Sequence, residues 1–87
     1  MTASEALRVL RNAASAGTFF LSDHAVERME ERAVERQDIR HALMAGNRAT
    51  WQPKHKTWLV TGGTDLDGGG LNVACILREG VCVATIF

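Results

Sequence analysis

The sequence is poor in several residue types whose abundance would define a class of protein. Its 87 residues include two cysteines, one proline and no tyrosine. So few cysteines cannot form the disulfide framework of a small secreted domain, and the lack of tyrosine excludes a mechanism that depends on a phenol hydroxyl. No apolar run approaches the ~18 residues of a membrane span, and the N-terminus has no signal-peptide pattern. We therefore expect a cytoplasmic protein with no membrane partner.

An excess of charge of one sign is also lacking, because ten Lys and Arg residues balance ten Asp and Glu residues. A net charge of zero gives no global attraction to nucleic acid, so any binding of RNA must come from local clusters of cations. The apolar content of 46% is that of a globular chain. We expect one small domain over residues 1–87, with a helical part at about 3–46 and a sheet part at about 48–87.

The first half of the chain has the apolar period of amphipathic helices. Thr2 and Glu5 have the spacing of a capping box, and Gly17 predicts the end of the first helix. Ser22 predicts the N-cap of a second helix, and Gly46 predicts the end of a third.

After Gly46 the apolar period shortens to that of strands, which we expect near residues 48–54, 57–61, 71–77 and 81–86. Helices followed by strands predict an α+β fold. The N-terminal helices would pack on one face of a three- to four-stranded, mainly antiparallel sheet.

The register of the last hairpin can also be predicted. A two-residue turn at residues 79–80 would pair Cys75 with Ala84 and Cys82 with Leu77. The two sulfur atoms would then be diagonal neighbours with poor disulfide geometry, so we expect both cysteines to be small core residues. In this register one wholly apolar face meets the helices: Val73, Cys75, Leu77, Cys82, Ala84 and Ile86.

The most informative stretch is residues 22–32, S-D-H-A-V-E-R-M-E-E-R. On a helix, His24, Arg28 and Arg32 fall within about 80° and form one cationic stripe that could bind a phosphate. Beside it lies an apolar stripe fit for burial, formed by Ala25, Val26, Met29 and Ala33. The alternative is a solvated face on which the cations pair with the glutamates of the same helix.

A second stretch, residues 48–58, combines cations with aromatic rings and has no acid. Bases of single-stranded RNA stack on such rings while the cations neutralise the phosphates. We expect Arg48, Trp51, Lys54 and Lys56 to bind RNA in this way. The alternative is a hairpin in which the tryptophans pack and the lysines discourage pairing of the sheet edge.

Histidine and arginine can cleave RNA without a metal ion. The spacings of the three histidines match no compact motif of metal-ligating residues, so we expect the protein to bind no metal ion and no cofactor. A histidine can remove the 2′-OH proton, a second group can protonate the leaving 5′ oxygen, and arginine can stabilise the phosphorane. The candidate catalytic residues are His24, His55, Arg28 and Arg32, and either histidine could be the acid or the base.

The same residues carry a family pattern. The run S-x-H-A-x2-R-M-x2-R at 22–32, Asp38-Ile39, A-L-x2-G at 42–46, W-x-V-x-G at 58–62 and the closing V-x-T-I-F at 83–87 resemble an uncharacterised bacterial domain family. The resemblance covers about residues 19–87. The chain departs from the pattern at Glu35, where a Ser or Thr cap is usual.

Members of this family are similar to the small RelE-, BrnT- and MqsR-like toxins. The resemblance implies an mRNA-cleaving toxin of a toxin–antitoxin pair, with His24, Arg28 and Arg32 at the motif positions. Its candidate partners are RNA, an antitoxin protein and a second copy of the chain in a homodimer.

The alternative function is a non-enzymatic protein-interaction domain, in which the cationic stripe packs the sheet or binds an acidic segment of a partner. A concave surface shared by the stripe and residues 48–58 would favour the nuclease. Burial of Arg28 and Arg32 in salt bridges would favour the interaction domain.

Overall fold

The computed structural model describes every residue from Met1 to Phe87 and has three helices and five strands. In chain order these are α1 (Ala3–Ala16), β1 (Phe20–Leu21), α2 (Asp23–Arg32), α3 (Arg36–Ala45), β2 (Arg48–Gln52), β3 (Thr57–Thr61), β4 (Val73–Leu77) and β5 (Val81–Ile86). The predicted α+β class is confirmed. The predicted bounds of β3 and β5 are also confirmed, whereas β2 and β4 are each two residues shorter than predicted.

The sheet has five strands in the order β1-β5-β4-β3-β2, so the prediction of three to four strands was wrong. Neighbouring strands are antiparallel except β1, which runs parallel to β5. The additional strand consists only of Phe20 and Leu21, which pair with Cys82 and Val83. Two residues are too few to show a strand period, because alternation needs at least about four.

The helix ends follow the predicted signals. Thr2 forms the capping box, since its hydroxyl accepts from the Glu5 N–H (3.2 Å) and its own N–H donates to the Glu5 carboxylate (2.9 Å). The Thr2 N–H, and to a smaller extent the Thr2 side chain, stabilise the charged carboxylate and lower the pKa of Glu5. Gly17 ends α1 in the left-handed conformation at φ 72°, and the Ser22 hydroxyl caps α2 by accepting from the Ala25 N–H.

The core lies between the helices and one face of the sheet. Helix α1 packs against α3 and β2, and α2 packs against β5. Strand β4 directs Val73 and Cys75 into this core, while its alternate residues Ala74 and Ile76 lie on the other face. That second face of the sheet is the surface on which a site can form.

The β4–β5 hairpin differs from the predicted register because its turn has three residues, Arg78 to Gly80, rather than two. Near the turn Leu77 pairs with Val81. The turn closes through the Arg78 N–H donating to the Gly80 carbonyl (3.1 Å). A bulge between Ala74 and Cys75 then shifts the register by one residue.

Between the turn and the bulge the two faces of β5 are exchanged relative to the prediction, whereas beyond the bulge Ile86 pairs with Val73 and lies in the core as predicted. Val81 and Val83 lie in the core, so the prediction that Cys82 and Ala84 face the helices was wrong. Cys75 is a core residue as predicted, and burial, with a smaller contribution from Cys82, raises the pKa of its thiol to about 12. Because Cys75 and Cys82 point to opposite faces, both thiols are free.

Helix α2 buries a narrower stripe than predicted. Ala25 and Met29 are buried, but Val26 is 40% exposed and Ala33 is exposed. Ala33 is exposed because α2 ends at Arg32 and Ala33 is its C-cap, in the left-handed conformation at φ 52°. An alanine in this conformation is strained because its Cβ approaches the following carbonyl.

Replacing Ala33 by glycine is therefore expected to stabilise the protein by about 0.5–1 kcal/mol, because glycine adopts the left-handed conformation without strain. Urea unfolding of the two proteins measures the difference. A lower free energy of unfolding for Ala33→Gly would contradict this account of the C-cap.

Candidate functional site

The face of the sheet away from α1 and α3 forms the floor of a cavity of about 610 Å³. Helix α2 borders one side of the floor, and the turn between β2 and β3 borders the other. The residues that line it are His24, Arg28, Gln52, His55, Thr57, Ala74, Ile76, Ala84, Thr85 and Phe87.

The cavity brings together three of the four catalytic candidates. His24 and Arg28 come from α2, and His55 comes from the β2–β3 turn. Both histidines are exposed, and no Asp or Glu is among the lining residues. A concave surface therefore joins part of the cationic stripe to part of residues 48–58, and its ionisable side chains are basic.

Ser22 fixes the start of α2 against the bulged strand. Its hydroxyl donates to the Ala84 carbonyl (2.8 Å) while it accepts from the Ala25 N–H (3.0 Å). Its backbone N–H also donates to the Val83 carbonyl (3.0 Å). Ala84 is the residue without a partner at the bulge, and bulges commonly redirect groups near functional sites. These bonds set the position of α2, and hence of His24 and Arg28, relative to the floor.

Arg28 is only loosely held. Its Nε donates to the Ile86 carbonyl (3.4 Å), and its Nη1 donates to a carboxylate oxygen of Glu31 (3.4 Å). The two side chains of this ion pair are 34% and 61% exposed. Such a pair contributes about 0–1 kcal/mol, so an anion in the cavity can replace Glu31 at small cost. Arg28 is thus not buried in a salt bridge.

The other predicted cations do not line the cavity. Arg32 ends α2, is exposed and does not line the cavity. Lys54 is exposed in the turn beside His55. Arg48 shares a face of β2 with Gln52, about 13 Å away along the strand at ~3.3 Å per residue.

The two tryptophans lie on the other face of the sheet, toward the core. Trp51 and Trp58 are cross-strand partners with ring centroids 5.3 Å apart and planes tilted by 53°. Trp58 belongs to the core, and with Lys56 and Met1 both rings border a separate cavity of about 330 Å³. Residues 48–58 are therefore divided between two surfaces, because neighbouring strand residues point to opposite faces.

Seven of the ten lining residues were not among the predicted site residues, and three of the seven carry a polar or aromatic side chain of interest: Gln52, Thr57 and Phe87. Gln52 and Thr57 are cross-strand partners at the β2–β3 turn, and the Thr57 hydroxyl donates to Gln52 Oε1 (3.0 Å). The hairpin register contained a signal for both, because they flank the turn that carries His55. Phe87 is placed by its pairing with Asn72 across the sheet, which no local pattern reveals.

His41, the remaining histidine, lies on α3 outside this cavity with its Nδ1 2.7 Å from the Thr64 carbonyl. No group of three or more His, Cys, Asp or Glu side chains is arranged to hold a metal ion. None of the three helices combines the length and the apolar character needed to span a bilayer.

Comparison with known families gives one match. The model of a family described as a domain of unknown function, DUF4258, matches residues 21–86. No curated protein and no solved structure matches the chain. The matched range begins at β1 and includes every lining residue of the cavity except Phe87.

Proposed function

Because the chain belongs to the DUF4258 family, whose description gives no activity, we propose its function from the cavity: a metal-independent endoribonuclease that cleaves mRNA as the toxin of a toxin–antitoxin pair. The observation that carries this proposal is the convergence of two imidazoles and one guanidinium on one open cavity without a lining Asp or Glu. Such a set supplies a general base, a general acid and a cation for a phosphorane.

The proposed reaction is a transesterification within the RNA. One imidazole, of His24 or His55, takes the proton of the 2′-OH as the 2′ oxygen attacks phosphorus. The P–O5′ bond breaks, and the other imidazole, in its protonated form, gives its proton to the 5′ oxygen. The products are a 2′,3′-cyclic phosphate and a 5′-hydroxyl end. Water, an oxidant and a metal ion are not consumed.

Arg28 is the cation for the reacting phosphate. In the reaction its guanidinium exchanges the long contact with Glu31 for the non-bridging phosphate oxygens, which it can contact in a bidentate manner. Arg48 lies on the same face of the sheet as the cavity, and Lys54 lies beside His55 in the turn. Both would neutralise phosphates further along a single strand of RNA.

The test is incubation of pure protein with end-labelled single-stranded RNA in EDTA. We expect cleavage that leaves 2′,3′-cyclic phosphate ends, and no cleavage at sites where the attacking sugar is 2′-deoxy. Cleavage of the 2′-deoxy sites, or no cleavage of free RNA or of RNA on ribosomes, would refute the proposal.

The two arginines of the stripe provide a matched pair on one helix. Arg28→Ala is expected to lower the rate constant of the cleavage step about 10²- to 10³-fold, the usual cost of removing a group that stabilises developing charge. Arg32→Ala is expected to change this rate constant less than about tenfold, because Arg32 lies outside the cavity. Single-turnover cleavage rates measure both, with circular dichroism as the control for folding. Equal losses in the two variants would contradict the assignment of Arg28.

The toxin part of the proposal is tested in cells. Induced expression should arrest bacterial growth, and His24→Ala, expressed to the same level, should relieve the arrest. Equal arrest by both proteins would exclude a catalytic role of His24 in toxicity.

A second candidate function is a protein-interaction domain without catalytic activity, favoured by the existing pairing of Arg28 with Glu31. In this case the cavity would receive an acidic segment of a partner in place of Glu31. An acidic peptide that binds with the same affinity to the wild type and to His24→Ala, together with a lack of RNA cleavage, would support it.

A further inference from the structure

We propose that the cavity contains a subsite for one unpaired base of the RNA, formed by the Phe87 ring and the Gln52 amide. This inference rests on the proposed nuclease function and identifies its substrate as single-stranded RNA with one base held out of its stack. It also assigns the stacking role to Phe87 rather than to Trp51, which lies on the other face of the sheet.

The first observation is the fixed orientation of the Gln52 amide. Gln52 and Thr57 face each other across the β2–β3 pair, and the buried Thr57 hydroxyl donates to Gln52 Oε1 at 3.0 Å. Both N–H groups of Gln52 Nε2 are therefore free to donate at the cavity. The neighbouring Oε1 atom still has a second lone pair that can accept a hydrogen bond. An adjacent donor and acceptor on a planar group match the edge of a nucleobase.

The second observation is the placement of Phe87. Its backbone N–H and carbonyl both pair with Asn72, at 2.9 and 3.2 Å, and the preceding Ile86 is fully buried. The Phe87 side chain is nevertheless 49% exposed and lines the cavity. A rigidly attached, half-exposed aromatic ring beside catalytic groups is suited to stack on a base.

The third observation is the floor between these groups. Ala74 and Ala84 contribute small side chains to it, and Ile76 contributes an apolar one. A flat base can rest on such a floor with its edge toward Gln52 and its phosphate toward Arg28. In a duplex that edge is already paired and stacked, so duplex RNA cannot enter the subsite.

The experiment is a thermodynamic cycle on binding, which does not require cleavage. Its probes are 2′-fluoro oligonucleotides, which lack the attacking hydroxyl, with all bases present or with one abasic position moved along the chain. Fluorescence anisotropy with wild type should show at least a tenfold loss of affinity at one abasic position, as expected for a lost base–aromatic stack. Phe87→Ala should bind the two probes within about twofold of each other.

Two further variants make the cycle decisive. Phe20→Ala removes a ring that is 65% exposed but does not line the cavity, so it should retain the full tenfold ratio. Phe87→Leu keeps an apolar side chain and should lose most of the ratio if stacking is the cause. A ratio that is unchanged in Phe87→Ala and Phe87→Leu would overturn the subsite.

The outcomes separate this inference from the nuclease proposal. RNA cleavage by wild type with an unchanged ratio in the Phe87 variants overturns the base subsite alone. The expected cycle without cleavage supports the base subsite and overturns the nuclease. If neither probe binds and RNA is not cleaved, both proposals are overturned; if neither binds but RNA is cleaved, the base subsite alone is overturned.

Discussion

Replacing either His24 or His55 by alanine is expected to lower the rate of RNA cleavage by about 10²- to 10⁴-fold, the usual contribution of a general acid or base. Both side chains are exposed, so neither substitution removes a packed group, and the free energy of unfolding should change little. Single-turnover cleavage with protein in excess measures the chemical step, and urea unfolding measures the stability.

His41→Ala is the matched control, because His41 is also an exposed histidine but lies on α3 outside the cavity. Its hydrogen bond to the Thr64 carbonyl gives this variant a stability cost of about 1 kcal/mol, yet its cleavage rate should equal that of the wild type. Equal loss of activity in all three variants would show that the effect does not arise in the cavity.

The roles of the two histidines can be separated by the leaving group. A substrate with sulfur in place of the 5′ bridging oxygen has a leaving thiolate that needs no proton. The variant that lacks the general acid should therefore recover most of its rate on this substrate, whereas the variant that lacks the general base should not. If neither variant recovers, neither histidine is the acid.

The sequence was informative wherever a short-range rule acts. The capping box at Thr2, the cap at Ser22 and the left-handed Gly17 each depend on a few neighbouring residues, and all three are present. The same holds in part for the faces of α2, where Ala25 and Met29 are buried and His24 and Arg28 border the cavity. Local periodicity located the centre of the buried stripe but not its width, since Val26 and Ala33 are exposed.

What the sequence did not reveal depends on pairing between distant residues. The bulge at Ala74/Cys75 and the three-residue turn exchange the faces of Cys82 and Ala84, and a one-residue change of register reverses every side chain of a strand. Strand β1 exists only because β5 provides its partner.

The composition of the cavity shows the same limit. The convergence of His24 and His55 requires α2 and the β2–β3 turn to border the same sheet face, which no local pattern encodes. Conversely, Trp51 and His55 are close in sequence but lie on different surfaces. The predicted site residues therefore include only three of the ten residues that line the cavity: His24, Arg28 and His55.

Gly63→Ala is expected to be the most destabilising of the substitutions considered. The cost of adding a methyl group at a glycine depends on contacts between residues that are distant in sequence. Gly63 is buried, and a Cβ on it would collide with the backbone of Ala42 in α3. A backbone cannot rotate away as a side chain can, so we expect a loss of about 2–3 kcal/mol and a fall in Tm of roughly 8–24 °C. Gly70→Ala, in the same loop, has nothing within 4 Å of the added Cβ and should change stability by less than about 1 kcal/mol. Thermal unfolding of both variants by circular dichroism decides the matter. Similar Tm values for Gly63→Ala and Gly70→Ala would mean that this loop does not pack on α3, because the contact with Ala42 is what distinguishes the two positions.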